Sequence, residues 1–527
     1  MILIRNLRLS PEESLDILVK RAAAKLRLRP TEVISHTLVR RSLDARKKND
    51  IHYVCSLALE VKGEEALLQR FASADISAYT PPVYDIPTVK EPELRPVVAG
   101  FGPAGMFAAL VLARAGAKPI VLERGQEALK RQQAVERFRE KGELDPESNV
   151  QFGEGGAGTF SDGKLGTGIK DRRIFWVLQQ FKLHGAPESI VYDAKPHVGT
   201  DILINVVQNM RRSITALGGE VRFCHRLERL ELEEGKLSGV HVNSPEGEYF
   251  LPCRRLILAL GHSARDTVET LYGQGLQMEP KSFSMGVRIE HLQSEIDLSQ
   301  YGRERRELPA ADYSLSVHLP DGNSAYTFCM CPGGEVIAAA SQEGGVVTNG
   351  MSYSGRDGEN ANSALLVTLH PEDFPEKDAL SGMRWQRQIE KAAYDCGGGN
   401  YMAPAQLVGD FLSRRESSGC GKVRPSYRPG VVWCELHRVL PEKICSVLEQ
   451  ALPELGKRLK GFDSAEAVLT APESRSSSPV RIPRNAELHA NISGIYPCGE
   501  GAGYAGGITS AAVDGMRCAE KLLEELE

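Results

Sequence analysis

The segment Pro96-Val97-Val98-Ala99-Gly100-Phe101-Gly102-Pro103-Ala104-Gly105, closed by Glu123, constrains this chain more than any other. A short apolar strand enters a Gly-x-Gly-x-x-Gly turn. A helix is predicted from Met106 to Ala115, Gly116 ends it, and a second strand, Pro119-Ile120-Val121-Leu122, delivers the acid. Each glycine answers a different demand. Gly100 permits the tight bend, Gly102 removes a Cβ so that backbone approaches a pyrophosphate, and Gly105 lets helix and strand pack closely. The helix N-terminus then meets the phosphates with unpaired N–H groups and the positive end of its dipole. Glu123 is placed to accept hydrogen bonds from a ribose diol. Strand, turn, helix, strand and acid in register predict a dinucleotide, without saying which one.

The chain has 527 residues, more than one core holds, so two or three domains are expected. Net charge is −5, and nothing global points to nucleic acid or an anionic membrane. The first ten residues carry Arg5 and Arg8 and lack an apolar signal core, and no long uncharged apolar stretch follows. A cytoplasmic bacterial protein is expected. Its 11 scattered cysteines, an odd number, suit reduced thiols and not a disulfide framework.

The expected organisation is a small N-terminal α/β domain over residues 1–80, a proline-rich linker over 81–93, and a discontinuous Rossmann-like dinucleotide domain. The last is expected over 94–274 and 471–527, interrupted by a mainly β, α+β substrate domain over 275–470. In the first unit a helix is read from Ser10 and Pro11 to Leu26, a second near Thr31, and a strand over Ile51 to Val61. Residues 40–48 form a basic patch, read as a solvated turn before a strand or, alternatively, as an RNA contact or a docking surface. Gly219 to Phe223 and Leu227 to Val242 are read as a hairpin, and Arg255 to Leu260 as a parallel strand ending at Gly261.

The C-terminal run Tyr496-Pro497-Cys498-Gly499-Glu500, followed by glycines, Ile508 and a helix, sharpens the cofactor. An acid at a strand end suits a ribityl hydroxyl, and a helix N-terminus stabilises negative charge developing on a reduced flavin. With these motifs the chain resembles the FAD-dependent oxidoreductases of the glutathione-reductase-like, two-domain flavoprotein class. More narrowly it is similar to the bacterial "FAD-dependent dehydrogenase" group, whose substrates are largely undefined. The narrower likeness rests on Phe152 to Lys164, Lys195 to Asp201, Phe283 to Arg288, Thr327 to Gly334, and Asn349 to Ser363. The resemblance implies FAD held non-covalently by Gly100, Gly102, Pro103, Ala104, Gly105, Glu123, Arg124, Gly261, Gly499, Glu500, Gly506, Gly507 and Ile508. It adds a glycine loop beside the flavin, with Gly156, Gly158, Thr159, Ser161 and Lys164 as contacts.

Other candidates are more local. Arg475 and Arg481, set among serines, suit a substrate carboxylate or phosphate. His197, Arg288 and Tyr326 are candidate catalytic residues, with His291 beside them. Cys329-Met330-Cys331 lacks the further close ligands a tetrahedral metal requires, so no metal is expected, and alternation would put both sulfurs on one strand face. The expected activity is hydride transfer between flavin N5 and a small-molecule substrate, with NAD(P)H as a transient reductant since no second nucleotide fingerprint follows. Two alternatives stand: an RNA-binding or tRNA-modifying flavoprotein using the basic N-terminal domain, and a flavin sensor without turnover.

Overall fold

A computed structural model describes residues 1–526. A five-stranded, wholly parallel sheet runs in the order Ile495–Pro497, Leu256–Leu258, Val97–Ala99, Ile120–Glu123, Glu220–Phe223. Its first four strands are short, largely apolar and buried, as runs of three or four residues covered by helices must be, and the edge strand Glu220–Phe223 is half-buried. The helix Pro103–Arg114 is apolar almost throughout and packs against the C-terminal helix Ile508–Glu524. Gly515 makes that approach possible, because a Cβ there would stand 2.0 Å from the Ala104 carbonyl oxygen.

The expected hairpin is divided between two sheets. Glu220–Phe223 pairs in parallel with Ile120–Glu123, and Arg226–Glu233 and Lys236–Ser244 form an antiparallel sheet with Gly247–Pro252. The chain alternates polar and apolar residues in both pieces, and only the long-range partner decides which sheet each joins.

A second layer is a seven-stranded sheet, ordered Ser316–His318, Ser324–Cys331, Asn360–Leu369, Phe283–Leu292, Val468–Glu473, Ala403–Leu407, Val431–Trp433. All neighbours are antiparallel except the last pair. The helix Glu442–Arg458 covers one face of it. The two segments that join the layers, Glu279–Pro280 and Val480–Arg481, pair with each other. Val468–Glu473 straddles the boundary expected at 470/471, so the return crossing comes after Glu473.

The N-terminal unit is a four-stranded sheet, ordered Val33–Asp44, His52–Val61, Ile2–Leu9, Ile76–Ala78, with helices Asp16–Lys25 and Glu64–Phe71. The helix expected near Thr31 is a single turn, Pro30–Glu32, leading into a strand held along its length by His52–Val61. The basic run starts as the end of that strand and continues from Ala45 as an exposed turn before His52–Val61, as the solvated-turn reading expects, but two of its residues dock. The Arg41 guanidinium lies between the rings of Tyr53 and Tyr192 and binds both oxygens of Asp193 at 2.7 and 3.0 Å, while Lys48 donates to the Ser299 carbonyl. The proline-rich 81–93 segment has no regular structure but is pinned: the Tyr84 ring packs on Trp176 and its hydroxyl donates to Glu520. Among the described residues no helix is long and apolar enough to cross a membrane.

Candidate functional site

A cavity of about 350 Å³ lies between the C-terminal edge of the parallel sheet and the seven-stranded sheet. Every residue assigned to cofactor contact from sequence lies on its wall except Gly105 and Thr159. Gly105 stands behind the wall, where a Cβ would meet the Gly100 carbonyl oxygen at 1.9 Å, and Thr159 hydrogen-bonds the Glu154 carbonyl at 3.3 Å. Gly100 has φ +99°, and a Cβ there would fall 2.3 Å from the Ala259 carbonyl oxygen. The first two residues of Pro103–Arg114 and the first of Ile508–Glu524 both reach the wall, so two helix N-termini open on one space.

Glu123 lines the cavity but is already engaged. Its carboxylate accepts the N–H groups of Phe101 at 2.8 Å and of Gly125 and Gly153 at 2.9 Å. It therefore ties three loops together, with one acceptor site in about four left for a ligand. Arg124 lies flat on Phe152, 4.0 Å from the ring centre, and pairs with Glu147 and Asp266.

The glycine loop after Gly153 is organised by a residue the sequence reading passed over. Arg131 is fully buried and donates to the carbonyls of Asn149, Val150 and Glu154 at 2.8, 2.9 and 2.7 Å. The signal available was an arginine in a helix followed by a glycine-rich loop, which does not name its partners. Further along, Ser161 bonds the Gly158 carbonyl, and Lys164 pairs with Asp162 at 2.8 Å and donates to the Met330 carbonyl.

At the other glycine run, the Gly499 N–H donates to Asp514, whose carboxylate also holds Arg484. The Glu500 side chain lies in the cavity, its nearest basic neighbour His262 Nδ1 at 3.5 Å. Burial pushes the Glu500 carboxyl up to about 7. The same burial, with Arg475 and Arg265 nearby, pushes His262 down to about 3, so its imidazole is neutral. Its Nε2 is buried without a partner among the described residues.

Arg475 reaches the cavity wall but is occupied. It and Arg265 grip the two oxygens of Glu390 at 2.7 to 3.0 Å, a buried Arg–Glu–Arg triad between the two layers. Arg481 is exposed outside the cavity, over the Tyr504 ring. His197, Arg288, Tyr326 and His291 also stand off the wall. His197 Nε2 lies 3.3 Å from the Ser354 carbonyl, Tyr326 donates to Ser284, and His291 Nε2 lies 2.8 Å from the Phe462 carbonyl. Arg288 is fully buried, bound to Asn362, Glu473 and the Cys329 carbonyl. Among the described residues no cluster of three or more potential metal ligands occurs.

The wall fits a long ligand with an anionic middle and hydroxyl groups. Gly261, Gly506 and Gly507 have open space where a Cβ would stand, Glu500 and His262 line the same space, and two helix ends supply N–H donors.

Residues 282–476 match the family described as FAD-dependent protein, C-terminal domain-like, and residues 1–60 match a domain of unknown function. A protein of Clostridium beijerinckii described as uncharacterized is 48% identical over 532 residues, covering 99% of each chain. Among solved structures, a flavin-dependent brominase covers 82% of this chain and 79% of its own at 12% identity and a TM-score of 0.38. A glycine oxidase from Bacillus cereus covers 82% of this chain and 96% of its own at 14% identity and a TM-score of 0.32. Likenesses that distant carry no argument about this chain.

Proposed function

We propose that this chain, which carries the C-terminal domain of the family described as FAD-dependent protein, C-terminal domain-like, is an FAD-dependent oxidoreductase acting on a small molecule. The observation that carries this reading is the single cavity onto which both glycine runs and both helix N-termini open. FAD, held non-covalently, supplies two-electron hydride chemistry at N5 of its ring.

The chain's own residues divide the remaining tasks. Gly102 and the first turn of Pro103–Arg114 offer backbone N–H groups to the pyrophosphate, and Gly100, whose N–H donates to the Leu122 carbonyl at 2.7 Å, shapes the turn. Glu123 fixes the three loops that form the adenosine end and offers its spare acceptor site to a ribose hydroxyl. Glu500 accepts a ribityl hydroxyl, and the N-terminus of Ile508–Glu524 favours negative charge at the far end of the cavity. The seven-stranded sheet closes the opposite wall through Phe328, Cys329 and Glu473, with Asn349 beside them from the separate strand Thr348–Met351, so a substrate is held between that wall and the cofactor and water is restricted there. NAD(P)H is proposed as a transient reductant at that face.

The purified protein is expected to be yellow and to release FAD, not FMN, on denaturation. Anaerobic mixing with NADH, NADPH and pools of hydroxy, amino and unsaturated acids should bleach the flavin with one of them. A colourless protein that binds no added FAD overturns the proposal.

A further inference from the structure

Cys396 and Cys434 stand 38 residues apart in sequence, and their Sγ atoms lie 3.2 Å apart. Both are free thiols. A disulfide needs about 2.05 Å, so a shift of about 0.6 Å in each sulfur closes the bond. Both sit where the backbone can yield that much. Cys396 is the last residue of the helix Ser381–Cys396, and the turn after it takes φ +86° at Gly398 and +73° at Gly399. Cys434 follows Val431–Trp433, the edge strand of the seven-stranded sheet. That strand is weakly held. It pairs with Ala403–Leu407 through Ala403, Pro404 and Ala405, and Pro404 has no N–H to give.

The two thiols differ in access. Cys396 is half-buried and open to a small oxidant, whereas Cys434 is buried directly behind it. The pair also joins two parts of the chain that matter to the layer contact. Further back on the helix of Cys396, Gln386 donates to the Ser474 carbonyl at 2.8 Å, and Glu390 holds Arg265 and Arg475. Arg475 in turn lies on the cavity wall. A bond from Cys396 to Cys434 therefore ties the helix that grips the layer contact to the loosest strand of the sheet.

We propose that Cys396 and Cys434 form an oxidation site for small hydroperoxides, closing a disulfide that staples the helix Ser381–Cys396 to the edge strand Val431–Trp433. The Cys396 sulfur attacks the terminal oxygen of R–O–O–H. The O–O bond breaks, the Cys396 proton passes to the leaving oxygen, and ROH departs, leaving a sulfenic acid. The Cys434 sulfur then attacks the Cys396 sulfur, the S–O bond breaks, and the Cys434 proton leaves with the hydroxide as water. The pair gives up two electrons and two protons, and the peroxide becomes ROH and water. Because the second sulfur already stands beside the first, the sulfenic acid is captured before a second peroxide oxidises it further. A cellular dithiol reverses the bond by exchange. No step uses a flavin, so the inference stands apart from the oxidoreductase reading.

Hydrogen peroxide, added in small excess to the reduced full-length protein, tests the pair directly. Non-reducing peptide mapping should show Cys396 joined to Cys434, and dithiothreitol should restore both thiols. Hydrogen exchange across Val431–Trp433 should slow about tenfold or more in the oxidised protein, because the strand then opens only together with the helix. Cys434→Ser leaves Cys396 without a partner, so dimedone should trap its sulfenic acid. Cys396→Ser should leave Cys434 unoxidised, since burial shields it. The wild-type map needs no variant to fold, and the exposed Cys420 serves as a control in the same sample, oxidised without joining another cysteine. A map without the Cys396–Cys434 peptide, or dimedone held by Cys396 in wild type, overturns the proposal. A joined pair with unchanged exchange across Val431–Trp433 overturns the staple.

Discussion

Glu390→Gln should loosen the contact between the two layers more than any other single polar change. Glu390 is buried between Arg265 and Arg475, which grip both its oxygens at 2.7 to 3.0 Å, and it accepts from Ser474 at 2.7 Å. The two ends of the triad respond differently. Burial works to raise Glu390, yet the two guanidinium groups hold it well below the usual carboxylate range. Burial, then repulsion from Arg475, pulls Arg265 down to about 10. One carboxylate thus serves two desolvated cations, and a neutral amide would leave both uncompensated. Removing one partner of a buried ion pair costs about 3–5 kcal/mol. The depressed Glu390 pKa keeps this contribution intact above about pH 4, the unfolded carboxyl range, and loses it only as pH falls through the folded value. At pH 7 the full loss is therefore visible. Hydrogen exchange in the helix Ser381–Cys396, which carries Glu390, should accelerate about 10²- to 10⁴-fold. Replacing Arg265, Glu390 and Arg475 together by methionine should return exchange to within about tenfold of wild type, because no buried charge is then left alone. Wild-type exchange in Glu390→Gln, or a triple variant as loose as the single one, would refute this reasoning.

The dinucleotide half of the molecule was readable because its constraints are local. A Gly100 carbonyl 1.9 Å from where a Gly105 Cβ would stand is a demand five residues apart in sequence. The same locality exposed Gly499–Glu500 and the helix behind it. What escaped depends on partners far along the chain. Residues from Val33 became a strand because His52–Val61 pairs with them, and Glu220–Phe223 left its hairpin for an open edge beside Ile120–Glu123. Arg475 read as a ligand arginine because nothing nearby announces Glu390, 85 residues away. Cys-x-Cys read as one face of a strand because the bulge between Phe328 and Cys331, which puts Cys329 on the cavity wall and leaves Cys331 fully buried, exists only against Asn360–Leu369. The docking of Arg41 within the run at 40–48 was hidden for the same reason, its partner Asp193 lying 152 residues beyond.

Three further outcomes separate the roles assigned above. Gly515→Ala would push a Cβ to 2.0 Å from the Ala104 carbonyl and should cost about 1–3 kcal/mol, lowering the melting temperature. Gly506→Ala, with open space around its Cβ, should leave melting unchanged and weaken FAD binding, so equal damage to melting by both would undo the distinction. Arg41→Ala removes two charge-assisted bonds to Asp193, about 1.5–3 kcal/mol, and should speed proteolytic release of the N-terminal unit roughly tenfold or more. Glu500 supplies the pH signature. Its carboxyl is raised to about 7 in the free protein, chiefly by burial, whereas a ribityl hydroxyl is accepted best by the ionised form. Below pH 7 binding must therefore expel a proton. FAD affinity, followed by flavin fluorescence quenching during reconstitution, should rise by up to tenfold per unit from about pH 5 to 7 and level off above. Glu500→Gln has no proton to lose and should flatten that profile, and a wild-type affinity that falls as pH rises toward 7 would exclude Glu500 as the acceptor.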